Sequence, residues 1–238
     1  MLYNQVCDNQ LYLLATFLYC STNSPVSNLE NIGTHWLWEI IQMLLNSQSQ
    51  DVAAGVNKCQ SFVETQTYSA LDDLPSPRVL STHLMPTGLP SSLFNNSKVV
   101  VPIRNPKDTA VSLYYHLKSE TKGTNLRCGW DVFIDKVWFD PELAFYAPWT
   151  EFTSFVWKKC REEDNYHPVI YEQLLEDPAV IIKDLGSFLG VSCLSDDRIA
   201  QIVQATEFNN MKVKKADSEK PLRDTFCEGY SMFRKGNN

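Results

Sequence analysis

Residues 98–119 read KVVVPIRNPKDTAVSLYYHLKS, and this stretch decides the fold because it combines a strand, a turn and a helix. The β-branched run Val99–Ile103 predicts a short buried strand. Arg104 ends the strand, Asn105 suits a helix N-cap, and Pro106 suits the first helical position, with apolar residues following at helical spacing. The stretch therefore predicts a strand–turn–helix unit with Arg104 at the carboxyl end of the strand.

Two polar residues of this unit are candidate ligands for a phosphate group. In open α/β sheets, ligands bind beyond the carboxyl ends of the strands and near helix N-termini. Arg104 lies at such an end, and its guanidinium is a planar donor suited to phosphate oxygens. Ser112 lies about two turns into the helix. An ordinary strand–helix turn with a solvated arginine explains this stretch as well, so both interpretations stay open.

Length and composition predict a single domain over residues 1–238, because a chain of this length with 44% hydrophobic residues can bury one core. The net charge of −7 argues against a nucleic-acid partner, which requires clustered Lys and Arg. Seven scattered cysteines without a C-x-x-C pair favour a reduced, cytoplasmic protein without a disulfide framework or a bound metal. The longest apolar run, Leu11–Cys20, is too short to span a bilayer, so no membrane partner is expected.

The first part of the chain predicts a strand, a loop and a helix. Leu11–Phe17 has the composition of a buried strand, Leu18–Ile32 is rich in Ser and Asn, and Gly33–Asn46 is an amphipathic helix. This order is typical of a phosphate-binding turn, but no G-x-x-x-x-G-K motif is present, and no Lys or Arg precedes Lys58. A plain strand–helix connection therefore stays open as well.

Strands and helices alternate through the rest of the chain. Strands are predicted at Pro77–Leu84, with His83 at its end, and at Pro168–Glu172, ending in Tyr171. Helices are predicted at Ala179–Leu189 and Asp197–Ala205. This alternation predicts the α/β class, with a mostly parallel central sheet covered by helices on both faces.

Taken together, these pieces resemble the cytosolic sulfotransferases, which transfer a sulfuryl group from 3′-phosphoadenosine 5′-phosphosulfate (PAPS) to hydroxyl or amine acceptors. Arg104 and Ser112 in RNPKDTAVS match the family's residues for the 3′-phosphate, and His83 in STHLMP matches its catalytic base. The resemblance implies a P-loop-kinase-like sulfotransferase fold and no metal. It assigns the remaining co-substrate contacts to Gly33, Thr34, Trp36, Tyr171, Thr206, Phe208, Arg234, Lys235 and Gly236.

The sequence departs from the family where the family carries its cations. Residues 18–32 form an atypical insertion that stands in place of a Pro-Lys-Ser/Thr loop, whose lysine neutralises the 5′-phosphosulfate, and Ser81 stands at a second lysine position. We therefore expect a polar, irregular excursion at 18–32, no cation at the 5′ end and impaired transfer, because removing one electrostatic stabiliser costs roughly 100- to 1000-fold in rate. The chain also ends before the family's dimerisation motif, which leaves a homodimer possible but without that segment.

Three functions remain open from the sequence. The first is a PAPS-dependent sulfotransferase acting on a small phenol, alcohol, steroid or amine. The second is a non-catalytic protein that binds the 3′-phosphoadenosine half of the site, and the third is a nucleotide kinase with a degenerate phosphate loop. For the first two we expect Arg104, Ser112 and the pair Arg234–Lys235 to converge on one anion site. For the first we also expect the ring of His83 to be open to an acceptor.

Overall fold

The computed structural model describes residues 11–15, 34–46, 58–119, 126–139, 149–191 and 193–215. Within them, four strands form one parallel sheet in the order β2-β1-β3-β4. The strands are β1 (Leu11–Ala15), β2 (Arg78–Thr82), β3 (Ser97–Ile103) and β4 (Tyr166–Ile170). The predicted parallel sheet is thus confirmed, and the carboxyl ends of its strands lie along one edge.

Helices connect and cover these strands. In chain order they are α1 (Thr34–Leu45), α2 (Tyr68–Asp72), α3 (Ser91–Asn95), α4 (Pro106–Ser119), α5 (Trp130–Phe133), α6 (Trp149–Glu162), α7 (Tyr171–Glu176), α8 (Pro178–Leu189), α9 (Asp196–Ala205) and α10 (Phe208–Lys215). A π-helical turn, Ile134–Trp138, continues α5, and short 3₁₀ turns lie at Lys58–Gln60 and Pro86–Gly88. None of the described helices has both the length and the apolarity that a membrane crossing requires.

Helices cover both faces of the sheet, as the sequence predicts. Successive residues of β3 belong to different clusters, because side chains alternate along a strand. Val99 and Val101 pack with α4, α5 and α6 on one face, whereas Val100 packs with α1, α8 and α9 on the other. Both sides of β3 are therefore buried, which explains why its sequence is a continuous β-branched run and not an alternating one.

The turn between β3 and α4 has the predicted chemistry. The Oδ1 atom of Asn105 accepts a hydrogen bond from the backbone N–H of Lys107 at 2.9 Å, and the Asn105 carbonyl accepts one from the N–H of Thr109 at 2.9 Å. Pro106 is the first residue of α4. Asn105 is thus the N-cap of α4, which fixes the direction in which the chain leaves the strand.

Two predicted strands are wrong in their bounds, and the strand predicted at Pro77–Leu84 is the shorter β2, Arg78–Thr82. The sequence predicts a strand at Pro168–Glu172, but β4 is Tyr166–Ile170, and Tyr171 is the first residue of α7. The β-branched residues end at Ile170, and the residues that follow it, YEQLLE, are mostly good helix formers. Tyr171 therefore lies at a helix N-terminus just beyond the strand, and this position is still at the carboxyl edge of the sheet.

Candidate functional site

Three predicted site residues lie at the carboxyl edge of the sheet, each directly after a strand. His83 follows β2, Arg104 follows β3 and Tyr171 follows β4. The last two are close neighbours because Ile103 pairs with Ile170 in the parallel register. In addition, the carboxylate of Glu172 accepts a hydrogen bond from the backbone N–H of Asn105 at 2.9 Å, which ties the two strand–helix turns together.

An aromatic cluster forms around Tyr171. The guanidinium carbon of Arg104 lies 4.4 Å from the centre of the Tyr171 ring, which is a cation–π contact. The ring of Trp36, in the first turn of α1, meets Tyr171 edge to face with 6.0 Å between ring centres. The Nε1 donor of Trp36 is buried and has no hydrogen-bond acceptor among the described residues. The cluster therefore combines a phosphate-binding cation, stacking surfaces and an unused indole donor in one place.

His83 is buried, with 4% of its surface exposed. Its ring centre lies 4.8 Å from that of Phe62, and its Nδ1 atom lies 3.8 Å from Oε1 of Glu64. The expectation that this ring is open is therefore wrong, because Phe62 and Glu64 pack against it. Burial, with a smaller contribution from the positive charge of Lys58, lowers the pKa of His83 to about 3. The imidazole is consequently neutral near pH 7 and can accept a proton, but the lowered pKa makes it a weaker base than an ordinary histidine.

Glu64 holds the backbone that carries His83. Its Oε1 atom accepts hydrogen bonds from the hydroxyl of Thr82 at 2.9 Å, from the N–H of Leu84 at 3.1 Å and from the N–H of His83. Burial raises the pKa of the Glu64 carboxyl above its usual range, and the hydrogen bonds it accepts oppose this. The carboxylate next to Nδ1 favours the tautomer with its hydrogen on Nδ1, so that Nε2 is the atom that can act as a base.

Lys58 is the residue that sequence reasoning missed. It is 2% exposed, and its Nζ atom donates a hydrogen bond to Oγ1 of Thr34 at 2.6 Å. Because Thr34 is the first residue of α1, the expectation of no cation at this helix N-terminus is wrong. The only sequence signal is that Lys58 is the first basic residue of the chain. Its contact with Thr34 spans 24 positions, which no local pattern reveals.

The other predicted site residues lie on or next to the helices α4, α9 and α10, or outside the described part of the chain. Ser112 is partly buried on α4. Thr206 is buried at the end of α9 and donates its hydroxyl hydrogen to the Ile202 carbonyl at 2.8 Å, while Phe208 begins α10 and is 40% exposed. Their contacts to a nucleotide stay predictions. Among the residues predicted to form the site, those outside the described part are Gly33, Arg234, Lys235, Gly236 and the insertion at 18–32.

The described side chains show no cluster of three or more His, Cys, Asp or Glu that could hold a metal ion. The carboxyl edge has a histidine, an arginine and a lysine, together with the carboxylates of Glu64 and Glu172, whose oxygens already accept hydrogen bonds from backbone N–H groups. The arginine and the lysine are cationic donors, and this chemistry suits an anion better than a cation.

Comparisons with known proteins find related sequences and structures. The sequence model of the sulfotransferase domain matches residues 29–238. Sulfotransferase 6B1 of Mus musculus is 31% identical over 212 residues, which cover 86% of this chain and 64% of that protein. Sulfotransferase 6B1 of Homo sapiens is 29% identical over 239 residues, which cover 97% of this chain and 74% of that protein. The chain thus spans less than two thirds of the mouse relative.

Solved structures share the fold. Mouse sulfotransferase SULT7A1 complexed with PAP has a TM-score of 0.66 at 24% identity, and the match covers 86% of this chain and 66% of that one. Retinol dehydratase in a complex with retinol and PAP has a TM-score of 0.76 at 19% identity, with 99% of this chain and 76% of that one covered. The match of the domain model to most of the sequence decides the assignment: this chain belongs to the sulfotransferase family.

Proposed function

We propose that this chain transfers a sulfuryl group from PAPS to a hydroxyl or amine of a small acceptor. The observation that carries the proposal is that a neutral, buried histidine and an arginine stacked on an aromatic ring both lie at the carboxyl edge of one parallel sheet. Membership of the sulfotransferase family supports the same reaction. When bound, PAPS supplies an activated sulfuryl group on a good phosphate leaving group.

The residues around Tyr171 fit the nucleotide half of PAPS. Arg104 is held in place by stacking on Tyr171, and a fixed guanidinium binds a phosphate with little loss of side-chain entropy. The buried Nε1 donor of Trp36 would find an acceptor on a purine or ribose. The two structural neighbours described above contain PAP, which is consistent with this use of the shared fold.

His83 would act as the base. The proton of the acceptor O–H or N–H moves to Nε2 of His83, the acceptor atom forms a bond to sulfur, and the bond from sulfur to the bridging oxygen breaks. The bonding electron pair then stays on the 5′-phosphate oxygen of the released nucleotide. Glu64, next to Nδ1, stabilises the imidazolium that results.

The acceptor class that we propose is a phenol, alcohol, steroid or amine. The neighbour structures carry small apolar molecules with a hydroxyl group, namely retinol in one case and androsterone in another. We place the reaction in the cytoplasm, because the sequence favours a reduced compartment and Cys128, Cys160 and Cys193 are free thiols.

The test is a transfer assay with the purified chain, PAPS labelled in the sulfuryl group, and one phenol, one steroid and one amine offered separately. We expect labelled product from at least one acceptor, and none when PAPS is replaced by ATP. Tight binding of adenosine 3′,5′-bisphosphate without product would instead favour the non-catalytic binding protein, which the burial of His83 also allows. Phosphoryl transfer from ATP would favour the nucleotide kinase.

A further inference from the structure

We propose that Lys58 supplies the positive charge that neutralises the 5′-phosphosulfate, in place of the loop lysine that this sequence lacks. This inference rests on the proposed function and assigns one charge within that site. The position is unusual because Lys58 follows α1, whereas the family's lysine lies in the loop that precedes this helix.

The location of the ammonium group supports the role. Nζ of Lys58 donates to Oγ1 of Thr34 at 2.6 Å, and the Thr34 side chain is fully buried at the first position of α1. The free N–H groups of a helix N-terminus carry a partial positive charge that attracts anions. Lys58 therefore adds a full charge at the point where the helix already favours a phosphate or sulfate oxygen.

The short distance between Lys58 and His83 also supports this role of Lys58. The ring of Phe62 touches both groups, with Nζ of Lys58 at 5.3 Å from its centre and the His83 ring centre at 4.8 Å. The charge of Lys58 is also close enough to contribute to the lowered pKa of His83. A cation at the leaving group and a base at the acceptor have to lie on one side of the molecule, and Lys58 and His83 meet this requirement.

The backbone holds Lys58 in place before any ligand binds. The carbonyl of Lys58 accepts hydrogen bonds from the N–H of Ser61 at 3.0 Å and from its hydroxyl at 2.7 Å. Phe62 then forms a parallel β-bridge with Ser81, in which the N–H of Ser81 donates to the Ser61 carbonyl at 2.9 Å. A charge that is fixed in this way stabilises a developing anion without first having to reorganise.

Ser81 lies next to the segment that carries Lys58. It stands where the family carries its second lysine, and it is a small residue, fully buried in β2. Strand alternation places its side chain on the same face as Val79, which packs with the helix α1. The residues bonded to Ser81 directly follow the 3₁₀ turn that carries Lys58. Lys58 therefore reaches the first residue of α1 from the segment that lies beside Ser81.

The decisive experiment measures binding, not turnover. Titration calorimetry would compare adenosine 3′,5′-bisphosphate with adenosine 3′-monophosphate for the wild type, Lys58→Met and Lys58→Arg. We expect Lys58→Met to weaken the bisphosphate about 10- to 100-fold and the monophosphate less than about 3-fold, because the latter has no 5′ group. Lys58→Arg should recover most of the loss, since it keeps the charge.

Lys98→Met is the matched control. Lys98 is also partly buried over a phenylalanine ring, at 5.6 Å from the centre of Phe188, but it lies near the amino end of β3. Its loss should leave the affinity for both nucleotides unchanged. Retained binding of the monophosphate by Lys58→Met shows that this variant is folded, and a melting curve would provide a second check.

The outcomes separate this inference from the proposed function. If the wild type binds neither nucleotide, the proposed function fails. If the wild type binds and transfers sulfuryl groups but Lys58→Met binds the bisphosphate as tightly as the wild type, the role of Lys58 is refuted and the function stands. Equal weakening of both nucleotides, together with a lowered melting temperature, would assign Lys58 a structural role and also refute the inference.

Discussion

The two ends of the sheet contain similar side chains in opposite electrostatic settings. At the carboxyl end, Lys58 lies over Phe62, and His83 packs against the same ring. At the amino end, Lys98 of β3 lies over Phe188, and His167 of β4 stacks on that ring with 4.7 Å between centres. Each end thus has a lysine, a phenylalanine and a histidine in contact.

The difference lies in the charge next to each histidine. His83 has a cation nearby, and burial together with Lys58 lowers its pKa. Both histidines also have a carboxylate nearby, Glu64 at 3.8 Å from Nδ1 of His83 and Asp184 at 3.3 Å from Nε2 of His167. At His167 the carboxylate opposes the lowering of the pKa by burial, whereas at His83 the charge that shifts the pKa is that of Lys58, which lowers it further. Residue types alone therefore do not identify the site. The end at which Lys58 and Arg104 lie together with a neutral histidine is the one suited to an anionic co-substrate.

The largest expected effect is on turnover. His83→Ala should lower kcat for sulfuryl transfer by about 100-fold or more, because it removes the base. His167→Ala should stay within about 2-fold of the wild type, since His167 lies away from the carboxyl ends. Initial-rate measurements at saturating PAPS would check both. Equal losses in the two variants would remove the functional distinction between the two ends.

A loop replacement tests whether Lys58 supplies the positive charge that the missing loop lysine would provide. Replacing residues 18–32 by Pro-Lys-Thr should raise the rate of Lys58→Met by at least about 100-fold, since it restores a cation to the 5′ end. In the wild type the same replacement should gain less than about 10-fold, because Lys58 already provides that charge. A gain of similar size in both backgrounds would show that Lys58 and the loop act independently.

The two ends also differ in arginines. Arg104 stacks on Tyr171 at the carboxyl end, whereas Arg78 begins β2 at the amino end and pairs with Asp72 at 3.2 Å. Arg104→Met should weaken adenosine 3′-monophosphate by about 10-fold or more, because it removes a charge-assisted contact to the 3′-phosphate. Arg78→Met should leave the dissociation constant unchanged in the same titration. If only Arg78→Met weakened the binding, the nucleotide would lie at the amino end of the sheet, and the proposed site would be contradicted.

The smallest effects are on histidine pKa values, and their signs should be opposite. Lys58→Met removes a cation, so the pKa of His83 should rise from about 3 but stay below 6.5, because burial, the larger cause, remains. Asp184→Asn removes the carboxylate, so the pKa of His167 should fall. Ring-proton NMR titrations would follow both residues. Shifts of the same sign would contradict the electrostatic contrast.

Most of the fold could be predicted from the sequence because short stretches of sequence determine where its strands and helices begin and end. The β-branched run of β3, the cap at Asn105 and the stop of α8 at Gly190, where φ is 82°, are all short-range signals. The position of Tyr171 was predicted less well, since a strand that runs directly into a helix has no turn residue to mark the boundary.

The site was predicted only in part, because its charges come together through tertiary contacts. His83 and Arg104 could be found from motifs at strand ends. The ring contacts that bury His83 come from Phe62, and its carboxylate neighbour is Glu64, both from a segment with no strand or helix pattern. Lys58 belongs to the same segment, and its approach to Thr34 depends on how that segment packs beside β2.

The bridge between Phe62 and Ser81 gives this arrangement a kinetic consequence. Lys58 and Glu64 lie on either side of it in the chain, and the bridge is closed by the amide protons of Val63 and Ser81. A local opening that breaks these two hydrogen bonds would release the cation and the carboxylate together. The rates at which the two amide protons exchange with solvent therefore measure how often the molecule loses its cation and the support of its base in a single event.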